Sequence, residues 1–332
     1  MKVVVLHEQL AAGARADEAD VLTQVAAVTS ALDELGHTHE IVTATSDLEA
    51  AAAALRRARP DVVFNLVESL DGHGRTIDRV PDLLDQLGIA YTGHTGAATR
   101  DSGSKVASKR ILHGKDLPTP LWLSMEQLAT RPAVPACRYI LKSIWEHGSL
   151  GLEDDCVLFA DRAEPLLHEL QQRLQRFGGS AFAEQYVHGR EWNLALLADE
   201  HGTGVTHLPA AEIRFAGAGT APVCIVGYKA KWHSGSEEDV GTPRCFATAP
   251  ADAPLVAHMQ AIAAATWRAF GLRGYARVDF RVDADGNPWI IDVNTNPCLS
   301  PDAGFAAAVR EAGLPYARAI GRIVNAARAY AP

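Results

Sequence analysis

The stretch IIDVNTNPCLSPDAGF, residues 290–305, carries two oxygen ligands two positions apart at the end of an apolar run. Alternate residues of a strand share a face, so Asp292 and Asn294 project together while Val293 points into the core. Just upstream, YARVDFRVDADGN reads as a second alternating strand closed by a turn, which makes the pair a hairpin. That hairpin can bring Asp279 near Asp292 and Asn294, with Arg277 beside them. Two carboxylates and an amide oxygen form a hard, all-oxygen set suited to Mg²⁺, which takes few protein carboxylates and completes its shell with water and nucleotide phosphates. The plainer alternative is a polar strand end facing solvent.

Two further stretches carry chemistry. In YILKSIWEHGSLGL, Lys142 ends a strand and the loop behind it holds Gly148, Ser149 and Gly151. A lysine and a loop of backbone N–H groups can cradle a polyphosphate. The order is not that of a Walker loop, and no G-x-G-x-x-G follows the first strand. In AFAEQYVHGREWNLALL, the extended Glu184–Val187 backbone could bond an adenine edge, and Glu191 could accept from ribose hydroxyls.

These groups need a frame. The first 95 residues alternate strand and helix as an open parallel sheet does. KVVVL, THEIVT and DVVFNL read as strands; residues 17–36, 47–58 and 77–87 read as helices, with IAYTG a short strand and turn. The loop ESLDGHGR lies beyond a strand end, where open α/β sheets bind ligands. Residues 96–187 read as a smaller α+β lobe: a helix with Lys105 and Lys109, the LPTP turn, strands at RYILKS, CVLF and AFAEQYV, and a helix over 163–177. Residues 188–332 form a third lobe. Its strands are EWNLALLAD, GVTHLPAAEIRF, YARVDFRVD and PWIIDVN, and its helices span 254–270, 304–313 and 316–330. The polar loop 216–243 is long enough to read as functional.

The 332 residues include 31 Lys and Arg against 40 Asp and Glu, a net charge of −9. That balance argues against nucleic acid, which wants a concentrated basic surface, and favours a small-molecule partner. No apolar run approaches the ~20 residues of a membrane span. Met1 opens directly into KVVVL without a signal-peptide pattern. Five scattered cysteines fit reduced thiols. A cytoplasmic protein is expected.

In this order the motifs resemble the ATP-grasp superfamily, and within it the D-alanine–D-alanine ligase group. FNLVE, LGIAYTG, KRIL…LPTP, GYARVDF and DVNTNP…AGLPY are similar to that group's landmarks along nearly the whole chain. The resemblance implies an ATP-grasp fold: an N-terminal parallel-sheet lobe and two α+β lobes enclosing ATP. Lys105 and Lys142 would hold phosphates, Ser149 and its neighbours would form a lid, Glu184 and Val187 would meet adenine, and Glu191 the ribose. Asp279, Asp292 and Asn294 would hold one or two Mg²⁺ (or Mn²⁺), Asp292 standing where the family usually has glutamate. Lys231 would reach the γ-phosphate. Arg277 and the backbone N–H of Cys298 would stabilise the acyl oxygen.

Substrate contacts depart from the family. LHEQLAAGARADEAD lacks its glycine-rich opening with an ammonium-binding glutamate, although Glu8, Asp17 or Glu18 could substitute. The serine expected after N-T-x-P is replaced by CLSPDAGF, with Ser300, Ala303 and Gly304 nearby, and Trp232 stands where tyrosine is common. Glu68, Arg75, Arg79 and His94 are further candidates on the substrate loops. The resemblance therefore implies a ligase joining a carboxylate, through an acyl phosphate, to an amine with release of ADP and phosphate. The altered pockets point to a dipeptide or secondary-metabolite amide, with a genuine D-alanine–D-alanine or D-alanine–D-serine ligase as the alternative. A nucleotide-binding regulator is the reading from another class. Family resemblance also implies a homodimer formed through the N-terminal lobe.

Overall fold

The first strand, Lys2–Glu8 (β1), is buried along six of its seven residues, so neighbours must cover both its edges and both its faces. Thr38–Ala44 (β2) and Val62–Asn65 (β3) flank it in parallel, in the order β2-β1-β3. Parallel strands need crossovers, supplied here by the helices Ala16–Glu34 and Glu49–Ala58. The computed structural model describes residues 1–146, 148–202, 204–216, 223–233, 235–246 and 249–330. Arg79–Leu87 is a third helix, shorter at its start than the sequence suggests, and stops at Gly88 in the left-handed region. IAYTG contributes only an isolated bridge from Tyr91 to Val63.

The second sheet is antiparallel, in the order β4-β7-β5-β6. It comprises Trp122–Ser124 (β4), Ala133–Ser143 (β5), Val157–Arg162 (β6) and Ala181–Gln185 (β7). The helices Met125–Thr130 and Ala163–Arg173 cover one face, and Leu166, Leu170, Leu141 and Phe177 form the dry interior. Lys105–Gly114 is a separate helix, capped by the Ser104 hydroxyl at its own start.

The third sheet runs β11-β10-β8-β12-β13, with β9 also on β8. Its members are Arg190–Ala198 (β8), Val205–His207 (β9), Ala211–Ile213 (β10), Arg244–Phe246 (β11), Tyr275–Val282 (β12) and Pro288–Asn294 (β13). GVTHLPAAEIRF is not one long strand but two short ones, β9 and β10, with Pro209 in the gap. Proline has no N–H for a central ladder. Two short helices, Tyr228–Trp232 and Glu237–Val240, occupy the expected loop 216–243, of which residues 217–222 and 234 lie outside the described residues.

The first and third sheets share one core. Val28 and Leu32 of the first helix pack with Ile320, Ile323 and Val324 of the helix Tyr316–Ala329, together with Phe64, Leu197 and Tyr275. The N-terminal lobe is therefore seated on the C-terminal one, and the second sheet's cluster is separate.

Candidate active site

Between the second and third sheets lies a cavity of about 870 Å³, open mouth included. Apolar residues (Ile140, Leu150, Ile225, Val226, Ile291) supply part of its lining. Of the sequence-predicted residues, Lys105, Lys142, Ser149, Glu184, Val187, Glu191, Lys231, Asp279 and Asp292 all line it.

Strand pairing places the polar groups. Lys142 on β5 lies across from Phe182, and Glu184 on β7 across from Ile140. The two side chains meet on one face, Lys142 Nζ donating to Glu184 Oε1 at 2.7 Å. Lys109, on the helix Lys105–Gly114, reaches the other carboxylate oxygen at 2.5 Å and also donates to Thr119 at 2.8 Å. Glu184 is 1 % exposed. Burial alone would raise its pKa, but Lys109 and then Lys142 outweigh that, and it is held below the usual carboxylate value. Burial pushes the Lys109 ammonium down, with Glu184 opposing. The Glu184 carboxylate is thus a buried hub between two lysines. The sequence reading gave Lys109 no role, although its spacing from Lys105, one helical turn, puts both on one face.

Lys105 donates to the Glu146 carbonyl at 2.8 Å. Its pKa is lowered by burial and supported most by Asp292. Glu191 accepts from Arg281 at 3.0 Å, and Arg281 also donates to the Val187 carbonyl at 3.0 Å. Arg281 went unremarked in the sequence. Its signal was the alternation in RVDFR, which sets Arg277, Asp279 and Arg281 on one face of β12.

The hairpin forms as expected, with Asp279 directly opposite Asp292 and Arg277 opposite Asn294. A bulge follows: Phe280 pairs with Ile290 rather than Ile291. A bulge re-aims side chains, and both Ile291 and Asp292 line the cavity. Val293 is buried as expected, at 1 %. Arg277 grips Asp279 through two bonds, 2.7 and 2.8 Å, and Asn193 adds a third at 2.9 Å. Burial would lower the Arg277 pKa, but Asp279 more than compensates and it is raised. Asn294 stands outside the cavity lining, its Oδ1 accepting the Asn296 N–H at 3.0 Å. Asp279 Oδ2, with one arginine bond, and Asp292 remain a hard-oxygen pair that fits a divalent cation facing phosphates.

The segment holding Val226 and the helix Tyr228–Trp232 meets the glycine loop. Trp232 Nε1 donates to the Gly148 carbonyl at 3.0 Å, and Ser149 Oγ donates to the Val226 carbonyl at 2.8 Å. Both Gly148 and Ser149 have positive φ, 66° and 63°. A Cβ on Gly151 would come within 2.5 Å of the Arg176 carbonyl, so that position requires glycine. Tyr228 ties this helix to the N-terminal lobe by donating to Asp17 Oδ1 at 2.9 Å. Lys231 is exposed at the cavity's edge.

Several expected substrate residues are otherwise engaged. His94 is buried, with Nε2 on the Tyr275 carbonyl at 2.9 Å and Nδ1 accepting the Arg273 N–H at 3.1 Å. Burial lowers its pKa to about 4. It is a neutral structural pin, not a substrate ligand. Arg75 and Arg79 are exposed and outside the cavity lining. Glu18 caps its own helix by accepting the Arg15 N–H at 2.7 Å. Ser300 is buried and donates to both oxygens of Asp20 at 2.9 Å, so its hydroxyl is not presented to a ligand carboxylate. Cys298 Sγ also donates to Asp20, at 2.9 Å, and its pKa is pushed far up by burial and then Glu68. A thiol so held is no nucleophile. Glu8 and Glu68 lie together in this corner, burial raising them to about 8 and about 7. In Glu8 the charge of Glu68 adds to burial.

The D-ala D-ala ligase C-terminus family model matches residues 158–325. A D-alanine–D-alanine ligase of Gloeobacter violaceus is 30% identical over 303 residues, covering 90% of this chain and 91% of that protein. An uncharacterised protein of Sinorhizobium fredii, y4sG, is 29% identical over 314 residues, covering 90% and 86%. The D-alanine–D-alanine ligase of Bacillus anthracis, crystallised with ATP, superposes with a TM-score of 0.72 at 19% identity over 99% of this chain and 98% of its own. That likeness establishes the fold. With the family match spanning half the chain, the protein belongs to the D-alanine–D-alanine ligase family, an ATP-grasp, ADP-forming C–N ligase.

Proposed function

We propose that the protein joins the carboxylate of one small molecule to the amine of another, and that at least one of them is not D-alanine. ATP lies in the cavity, with Lys105 and Lys142 at its phosphates and Lys231 at the γ-phosphate. Val187 meets adenine and Glu191 the ribose. Asp279, Asp292 and Asn294 would hold Mg²⁺, with Asp279 Oδ2 and Asp292 facing the cavity. Bound there, the ion would neutralise charge on the phosphates. The carboxylate oxygen of the first substrate takes the γ-phosphoryl group and ADP leaves. The amine then attacks the acyl carbon, the C–O bond to phosphate breaks, and the amine loses a proton. Charge gathers on the acyl oxygen in between, where Arg277 and the Cys298 N–H are the available donors.

The observation that carries this reading is the convergence of nine predicted ATP and metal residues, from five stretches of chain, on one cavity. Departure from D-alanine rests on Ser300, whose hydroxyl is spent on Asp20, and on Trp232, bonded to the loop it covers. A site without that hydroxyl does not reproduce its discrimination. The relatives named as D-alanine–D-alanine ligases support the second reading, that both substrates are D-alanine. The experiment is release of ADP and phosphate from Mg·ATP with D-alanine alone, then with a panel of D- and L-amino acids and amines, products being read by mass. Turnover with another pair and silence with D-alanine is the expected result. Brisk synthesis of D-alanyl-D-alanine establishes the second reading instead.

A further inference from the structure

Beyond the nucleotide, the N-terminal lobe gathers carboxylates around the loop that follows the metal-binding strand. Asn296 links the two regions, its Oδ1 accepting from Tyr275 at 2.6 Å and its Nδ2 donating to the Val67 carbonyl at 3.2 Å. One residue further is Glu68. Gln24 Nε2 donates to Glu68 at 2.8 Å and to Asp20 at 3.3 Å, which fixes those two carboxylates side by side. Glu8, at the end of β1, completes the group, and its charge is felt directly with that of Glu68.

The cluster differs from the acids beside it and in the nucleotide cavity in its partners. Asp17 and Glu18 are paired with Arg15, Glu184 with two lysines, and Asp279 with Arg277. Glu8, Asp20 and Glu68 form no ion pair among the described residues. Asp20 and Glu68 take their bonds from an amide, a thiol and a hydroxyl, and Glu8 takes its own from the backbone N–H groups of Glu8 and Glu68. Glu8 is the decisive member. It is 4 % exposed, yet its Oε2 has no hydrogen-bond partner among the described residues. A buried carboxylate oxygen without a donor is unfavourable unless something external supplies one.

We propose that Glu8, Asp20 and Glu68 recognise a substrate with two positive centres, a basic amino acid or a diamine, one end of which is joined in the ligase reaction. An ordinary α-amino acid brings one ammonium and its own carboxylate, which leaves a cluster of three acids short of cations. A second ammonium or guanidinium supplies the missing donors and charge together. The raised pKa values of Glu8 and Glu68 describe the same deficit, since without a cation the corner holds protons near neutrality.

This inference rests on the ligase reading, but binding tests it separately from turnover. Protein loaded with magnesium and a non-hydrolysable ATP analogue is titrated calorimetrically with lysine, ornithine and diaminopropionate, each in both chiral forms, against norleucine and norvaline as uncharged counterparts. Basic ligands are expected to bind about tenfold to a hundredfold more tightly than their counterparts. Binding near pH 7 should release protons, seen as heats that vary with the buffer's ionisation enthalpy. Glu68→Gln and Glu8→Gln should each shrink the ratio between lysine and norleucine while thermal melting shows an intact fold. Because the ratio is read within one variant, a general loss of fold cannot imitate that result. Equal binding of charged and uncharged members, no binding of either, or an unchanged ratio in both variants overturns the proposal. In the first case protons neutralise the cluster. ADP release with a neutral pair would then leave the ligase reading standing alone.

Discussion

Removing the Glu184 carboxylate should be among the costliest isosteric changes available in this chain. Glu184 is 1 % exposed and accepts from two ammoniums, Lys142 at 2.7 Å and Lys109 at 2.5 Å, whose side chains are 14% and 3% exposed. Glu184→Gln leaves two buried like charges facing a neutral amide, and stripping a buried ion pair of one partner costs about 3–5 kcal/mol. Lys109→Met is milder, because Glu184 keeps Lys142 and the site remains charge-balanced. The loss there is closer to one charge-assisted hydrogen bond, about 1.5–3 kcal/mol. The expected order is therefore Glu184→Gln well below Lys109→Met in urea unfolding without nucleotide. Saturating Mg·ATP should narrow the gap, since phosphates offer the orphaned lysines a new anion and a ligand bound only by the native state stabilises it. Equal costs, a Glu184→Gln loss under about 1 kcal/mol, or a gap that Mg·ATP widens would refute this account of the hub.

Other outcomes follow from the same geometry. Asp292→Asn should fold normally but lose about tenfold to a hundredfold or more in turnover, partly restored by raised magnesium, because one charge facing the phosphates disappears; wild-type rates would sink the metal assignment. Trp232→Phe removes the bond to the Gly148 carbonyl, worth about 0.5–1.5 kcal/mol, and should raise the KM for ATP severalfold with a smaller change in stability. Glu8 and Glu68 hold pKa values of about 8 and about 7 in the fold, above their unfolded values. Stability from these groups is thus complete below about pH 4.5 and lost as pH rises through about 8, on the order of a few kcal/mol. Urea midpoints measured from pH 5 to 9 should show that fall, and Glu8→Gln with Glu68→Gln should flatten it. Cys298→Ala should keep most activity, since burial, then Glu68 and Asp20, hold the thiol protonated; complete loss with an intact fold would revive a nucleophilic role.

Local pattern was enough for the elements and for groups one element positions alone. Apolar alternation wrote β12 and β13 into the chain, and the DADGN turn between them fixed a register that sets Asp279 opposite Asp292. Glycine at a left-handed helix end placed Gly88, and the order of lysine, glycine loop, acid and hairpin gave the fold. Where local pattern competed with backbone chemistry it failed, as at Pro209, which split one expected strand in two.

What the sequence could not supply was the choice of partner. Lys109 and Glu184 lie 75 positions apart, and only the packing of the helix Lys105–Gly114 beside β7 makes them a pair. His94 and Glu8 are both polar residues near strand ends. His94 is met by the backbone of the third lobe and made inert, whereas Glu8 is buried with an oxygen left over. Ser300 was legible as a hydroxyl near the substrate, but its direction was settled by Asp20, 280 residues earlier. Periodicity fixes which face a side chain occupies, because that depends on neighbours along the chain. Charge state and ligand readiness depend on which groups meet across lobes, and only the tertiary fold decides that.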